Sequence, residues 1–249
     1  MDQGFQLPLY LDLTAVFLMA ATGAIEAIRR EFDLVGLLGL SFATGLGGAL
    51  IRDGIFLQSG VPAVVRNPDY LYAVAGAAGA CLLFGRRALL SERLVALVDA
   101  AALGAYAVVG MEKSLAFGLD FAAAVLVGTV NACGGGLLRD VLMREEPMVF
   151  RPGQFYALAA LLGCLTYPFL RQSLEQPPLV AALGTIVFTF GLRVLAITRN
   201  WRTAPVRDTG LFRRRRPSAR VLTPRPKAGL HGTGSPTGGQ DLKQGAKKP

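Results

Sequence analysis

The sequence predicts an all-α integral membrane protein: seven transmembrane helices, built as two inverted three-helix repeats plus a seventh helix. Three observations predict this. The 249 residues are 52% hydrophobic and only 17% charged, with a mean hydropathy of +0.44, whereas an ordinary soluble domain carries about 25% charged residues. Seven apolar windows, roughly 9–28, 34–56, 70–86, 94–113, 120–143, 154–171 and 178–198, each approach the roughly 20 residues that cross about 30 Å of hydrocarbon. Finally, Gly47-Gly48-Ala49-Leu50-Ile51-Arg52-Asp53 recurs 87 residues later as Gly134-Gly135-Gly136-Leu137-Leu138-Arg139-Asp140.

The same offset of 87 aligns Asp12 with Asp99, Gly23 with Gly110 and Asp33 with Asp120. Beyond the phrase the offset falls to 84, and Asn67-Pro68-Asp69-Tyr70-Leu71-Tyr72-Ala73 lines up with Arg151-Pro152-Gly153-Gln154-Phe155-Tyr156-Ala157. Each half holds three windows. Three is odd, so the second half enters the bilayer from the opposite side, an architecture recurrent in transport proteins. The chain divides into a first repeat over 7–90, a second over 91–175, a seventh helix over 176–198 and a basic, disordered cytoplasmic tail over 199–249.

Taking the elements in order, the first window lacks a basic n-region and pairs with 96–113 in the repeat, so it reads as a mature helix rather than a signal peptide. Windows two and five exceed the length needed, which predicts tilt or a break. Window three is crowded with small residues, Ala75 to Ala80, suited to close helix packing. All seven are too long and too continuously apolar for barrel strands. Residues 1–198 carry 13 Lys+Arg and 15 Asp+Glu, while residues 199–249 carry 13 Lys+Arg and 2 acids. The basic balance therefore belongs to the tail, whose Arg213 to Arg216 read as a topology anchor on anionic headgroups. Nothing aromatic or structured there supports a nucleic-acid partner. Counting basic residues in the short loops places the N-terminus outside and the C-terminus in the cytoplasm of a plasma-membrane protein.

Several function classes fall away. The one histidine, His231, lies in the tail, so neither a histidine metal site nor a catalytic triad is expected. Cys81, Cys133 and Cys164 lie in apolar stretches and read as buried thiols. No lysine in 178–198 can carry a retinal Schiff base, and neither His-Glu-x-x-His nor Gly-x-Ser-x-Gly occurs. No enzyme activity, catalytic residue, metal or cofactor is expected.

What remains points to a pathway. Glycine runs let helices approach closely or weaken a helix so that it kinks and exposes backbone carbonyls. Gly47 lies about 20 Å along helix two at 1.5 Å per residue, past the midplane. A kink at Gly47, Gly48 and Ala49, and at Gly134, Gly135 and Gly136, is therefore the expectation, with close packing as the plainer alternative. Arg52-Asp53 and Arg139-Asp140 would mark two mouths of one pathway. A cation route requires each Arg to be neutralised by an Asp, the alternative being an interfacial Arg reaching headgroups. Thr44 and Asn131, matched polar residues before the glycines, are expected to line the path. Lys113, closing helix four, is an outer-mouth gate or a snorkelling lysine. Asp12 and Asp99 are read as complements to helix N-termini, with ion binding as the alternative, and Arg193 as a snorkelling residue.

These paired phrases in the second helix of each repeat resemble the prokaryotic branch of the trimeric intracellular cation (TRIC) channel family, also described as the bacterial glycine transporter family. The resemblance covers about residues 7–198. It implies a homotrimer in membrane lipid with one pore per subunit, lined by helices one, two, four and five, permeable to K+ and, as a further permeant ion, Na+. The family's glycine motif maps onto Gly47-Gly48-Ala49 and Gly134-Gly135-Gly136, and its helix-four lysine onto Lys113. Ala49 stands where a third glycine is typical. The alternative function is a secondary transporter of glycine or a similar small zwitterion, since Arg can hold a carboxylate while Asp holds an amine.

Overall fold

Asp33 and Asp120, 87 residues apart, do the same work. Each stands just before a long helix and accepts a hydrogen bond from a first-turn amide, Gly36 N at 2.7 Å and Ala123 N at 2.8 Å, satisfying donors that the helix itself leaves unpaired. The turns before them also match: Glu31 (φ 57°) and Gly118 (φ 88°), again 87 apart, both take the left-handed conformation. Gly118 does so without strain.

The computed structural model describes residues 7–58, 60–84, 92–151, 155–199 and 201. Among them the helices are α1 (Leu9–Arg29), α2 (Leu34–Ile51), α3 (Ala63–Arg66), α4 (Asp69–Phe84), α5 (Glu92–Ala116), α6 (Phe121–Leu142), α7 (Tyr156–Pro168) and α8 (Pro178–Thr198). Wider π-helical turns extend α2 over Arg52–Leu57 and α7 over Phe169–Ser173. The second follows Pro168, whose ring removes an amide donor from the ladder. Arg213 to Arg216 and His231 lie outside the described residues.

Among the described residues, five helices are long and apolar enough to cross a membrane: Leu9–Arg29, Leu34–Leu57, Arg93–Ala116, Phe121–Leu142 and Pro178–Thr198. Helix α4 is shorter, at 16 residues, and α7 has 13 before its π-helical turn. With α3 as a loop helix, the seven expected windows each find a helix.

The two halves face opposite ways. Helices α2 and α6 cross antiparallel: Gly48 lies against Asn131 and Gly134, whereas Gly135 lies against Thr44. Within each repeat the first two helices are antiparallel, as the contacts of Gly23 with Leu40 and of Gly45 with Ala20 show for α1 and α2, and those of Gly110 with Asn131 and of Gly128 with Met111 for α5 and α6. The third helix runs parallel to the first, so that Asp12 meets Tyr70 and Ala21 meets Cys81, while Ala107 meets Cys164 and Glu112 meets Tyr167.

The core is built from small residues. Ala15, Ala20, Ala49, Ala102, Ala107, Ala124, Ala160 and Ala182 are fully buried, which draws backbones together where lipid offers no hydrophobic drive between helices. Larger side chains such as Met19, Leu46, Leu103 and Met111 fill the space between them, while many others face outward, for example Leu34, Val35, Leu38 and Phe42 on α2, and Val180, Leu183 and Val187 on α8.

Candidate functional site

The glycine phrases lie where α2 and α6 touch. A methyl at Gly48 would overlap the Asn131 carbonyl, and one at Gly135 the Thr44 carbonyl. At Gly134 it would come 2.9 Å from Gly48 Cα. Both phrases sit inside α-helix, α2 to Ile51 and α6 to Leu142. The helical ladder is unbroken at Gly47-Gly48-Ala49 and Gly134-Gly135-Gly136 and departs from α-geometry in α2 only at Arg52, and the glycines allow the two helices to approach closely, the plainer of the two readings. The physical reason is contact. A side chain here would push the helices apart, so glycine is required by the neighbour rather than by the helix's own conformation. Ala49 is fully buried without difficulty, whereas a methyl at its counterpart Gly136 would come 2.8 Å from the Tyr156 hydroxyl. The two positions differ because their neighbours differ.

At one end of this crossing, Arg52 is fully buried. Its Nε donates to Asp53 Oδ1 at 2.6 Å and its Nη1 to Asn131 Oδ1 at 3.2 Å. Asn131 Nδ2 in turn donates to the Tyr106 carbonyl at 2.7 Å, and the Tyr106 hydroxyl donates to the Gly45 carbonyl. Asp53 Oδ2 accepts from Ala63 N at 3.3 Å. Beside them Asp12, 1% exposed, accepts from Tyr70 at 2.6 Å and from Lys113 Nζ at 2.7 Å.

The other end repeats the plan. Arg139 Nε donates to Asp140 Oδ1 at 3.1 Å, while Nη1 reaches Asp99 Oδ1 at 3.3 Å and Thr22 Oγ1 at 3.1 Å. Asp140 Oδ2 accepts from Met148 N at 2.9 Å, as Asp53 does from Ala63. Arg193 of α8 lies over the Tyr156 ring, 4.9 Å from its centroid. Asp99 Oδ2, the Tyr156 hydroxyl and Arg193 Nε are buried without hydrogen-bond partners among the described residues.

Each cluster borders a cavity. One of about 370 Å³ is lined by Asp53, Arg66, Lys113 and Phe117 among others; one of about 470 Å³ by Glu26, Asp99, Arg139, Asp140 and Arg193 among others. Midway along α2 and α6 between them lie the glycine contact and the buried Thr44 and Asn131.

Of the residues singled out in the sequence, Arg52, Asp53 and Lys113 gather at one end, where Arg52 reaches back to Asn131 at the crossing, and Arg139 and Asp140 gather at the other. Neither Arg reaches out to headgroups. Thr44 turns its hydroxyl onto the Leu40 carbonyl at 2.6 Å and Asn131 ties α5 to Arg52, so both are buried ties rather than exposed lining. Asp12, in the first turn of α1 as expected, is also the ion-pair partner of Lys113, while Asp99 is corrected from a helix-end complement to an ion-pair partner of Arg139. Asp99 stands well inside α5, which starts at Glu92. Arg193 is corrected from a snorkelling residue to a buried one, 3% exposed. Tyr72, aligned with Tyr156 by sequence, is 71% exposed; the structural counterpart of Tyr156 is Tyr70, at 2%. The missed residues are Tyr70, Tyr156, Tyr106 and Thr22. Only the two tyrosines left a signal, at the start of the third helix of each repeat.

Comparison with known proteins agrees. The family described as "Glycine transporter" matches residues 9–87 and 96–172, one stretch per repeat. A UPF0126 membrane protein of Deinococcus radiodurans is 34% identical over 199 residues, covering 80% of this chain and 91% of its own. The UPF0126 inner membrane protein YadS of Escherichia coli K12 is 29% identical over 189 residues, covering 76% and 90%. Among solved structures, a TRIC cation channel superposes with a TM-score of 0.69 at 30% identity, covering 80% of this chain and 97% of its own. The TRIC orthologue from Rhodobacter sphaeroides does so with 0.70 at 30%, covering 77% and 97%. This is a multi-pass membrane protein, and it belongs to the bacterial glycine transporter family, the prokaryotic branch of the TRIC cation channels.

Proposed function

We propose that the protein is a monovalent cation channel, with potassium as the chief permeant ion. Its path runs through each subunit of a homotrimer, from one cavity to the other across the α2–α6 contact. The observation that carries this reading is the pair of cavities at opposite ends of the glycine crossing, each bordered by a buried Arg–Asp cluster. Each phrase Arg is neutralised by a neighbouring Asp, which removes the repulsion an unpaired Arg would exert on a cation. The contact at Gly48, Gly134 and Gly135 is chiefly backbone on backbone, with the Leu138 side chain on Gly47 and the Ile51 side chain beside Gly134, so a parting of α2 and α6 that opens it displaces few side chains. The solved TRIC channels that share this fold support the same reading. The N-terminus lies outside the plasma membrane and the C-terminus in the cytoplasm, which puts the Arg52 end outside and the Arg139 end inside. Purified full-length protein in a planar bilayer tests the proposal: unitary K+ currents far above carrier turnover are expected. Saturable glycine uptake without unitary events overturns it.

One observation favours a second reading, a carrier of glycine or a similar zwitterion. At the Arg139 end the unpartnered Asp99 Oδ2 offers an acceptor for an ammonium group, and the unpartnered Tyr156 hydroxyl and Arg193 Nε offer donors for a carboxylate. Inverted repeats also suit alternating access.

A further inference from the structure

We infer that Arg193, on the helix outside the repeats, is a specificity-determining residue: beside Arg139 it supplies the second buried positive charge of the Arg139-end vestibule, whose other arginines, Arg29 and Arg151, are partly exposed, and it restrains cation entry there. The inference rests on the channel reading. Each end buries two acids, Asp12 and Asp53 at one, Asp99 and Asp140 at the other, and each receives one Arg from its phrase. With that Arg alone, each cluster would carry one net negative charge.

At the Arg52 end, Lys113 restores balance through its 2.7 Å ion pair with Asp12. The repeat provides no such base at the other end. The position matched to Lys113 is Glu26, an acid that pairs with Arg29 and Arg30 at the cavity rim. Helix α8 fills the gap. Its antiparallel packing on α5, seen where Gly104 meets Ile186 and Thr189, carries Arg193 to the Asp99 level, where it lines the same cavity as Asp99, Arg139 and Asp140.

The two balancing charges are held differently. Lys113 is locked on a carboxylate. Arg193 has no carboxylate within 4.0 Å among the described residues; it rests on the face of Tyr156, and its Nε has no partner. Its charge therefore acts on whatever occupies the vestibule. The field acts over about 10 Å at 0.1 M salt and about 3 Å at 1 M.

Full-length protein in planar bilayers tests this. R193Q is expected to raise the K+ over Cl− permeability ratio and the unitary K+ conductance at 0.1 M salt by roughly two- to threefold, with the difference fading at 1 M; R193K restores wild-type values. If R193Q does not assemble, the D99N background serves: D99N lowers the ratio, and D99N/R193Q brings it back. Wild-type conduction with R193Q unchanged, or with R193K behaving as R193Q, overturns the role of Arg193 alone. Wild-type protein that passes no unitary current overturns the channel reading beneath it.

Discussion

At the Arg52 end, a buried guanidinium is shared between one carboxylate and one amide, and the second carboxylate, Asp12, is held by a lysine and a tyrosine. At the Arg139 end, a single guanidinium holds both carboxylates, and the tyrosine and second base stack on each other instead of on an acid. The repeat dictates the shared part: an Arg–Asp phrase closing the second helix, an Asp on the first, and a tyrosine opening the third. It does not dictate the second base. That comes from α5 at one end and from α8 at the other. Duplication thus delivers matched acids twice, and each end neutralises them with whatever helix lies nearby. Among the described residues both ends keep unpartnered buried polar atoms, Asp12 Oδ1 and Arg52 Nη2 at one and Asp99 Oδ2, the Tyr156 hydroxyl and Arg193 Nε at the other, but only at the Arg139 end is the second base itself among them.

The largest expected effect breaks what both ends share. Gly135→Leu forces a side chain into the Thr44 carbonyl and Met19, and should abolish the monodisperse folded species on size-exclusion chromatography. Gly39→Leu, with nothing within 4 Å of its added carbon, should leave that peak intact. Equal behaviour of the two would remove the close-contact argument.

Next, R139M should destabilise more than R52M. Removing one partner of a buried pair costs about 3–5 kcal/mol. Arg139 leaves two carboxylates behind, whereas Arg52 leaves one while Asp12 keeps Lys113. Thermal unfolding in detergent measures the difference, and equal losses would mean the two ends are held alike. K113M comes third. It removes one charged hydrogen bond from Asp12, worth about 1.5–3 kcal/mol, while Tyr70 still holds the other contact; the same unfolding assay reads it, and a loss as large as that of R139M would contradict the ranking.

The smallest effect lies at the rim, where Glu145 pairs with Arg30 and Arg151, all partly exposed. E145Q should cost at most about 1 kcal/mol, and the cost should disappear in 1 M KCl. A salt-independent loss would place this cluster among the buried networks instead.

Much of this was legible in the chain. Helices were legible because lipid forbids an unpaired backbone, so long apolar runs admit only one secondary structure. The Arg–Asp phrases and the acids Asp12 and Asp99 were legible because duplication copies position. The pairing of Tyr70 with Tyr156 was not, because the loop between second and third helices differs in length and a one-dimensional offset slides to Tyr72. The roles of Lys113 and Arg193 were hidden for a different reason. Their partners lie 101 residues away in sequence for Lys113, and in the Asp99 vestibule for Arg193, and only helix packing brings them together.

The glycines mark the division most clearly. Composition and duplication determined by themselves that two glycine-rich helices would be matched and opposed, since an odd number of crossings reverses the second copy. Whether those glycines admit a neighbour depends on what stands opposite them. Tertiary structure alone decided that, by placing the carbonyls of Asn131 and Thr44 where any side chain would have to go.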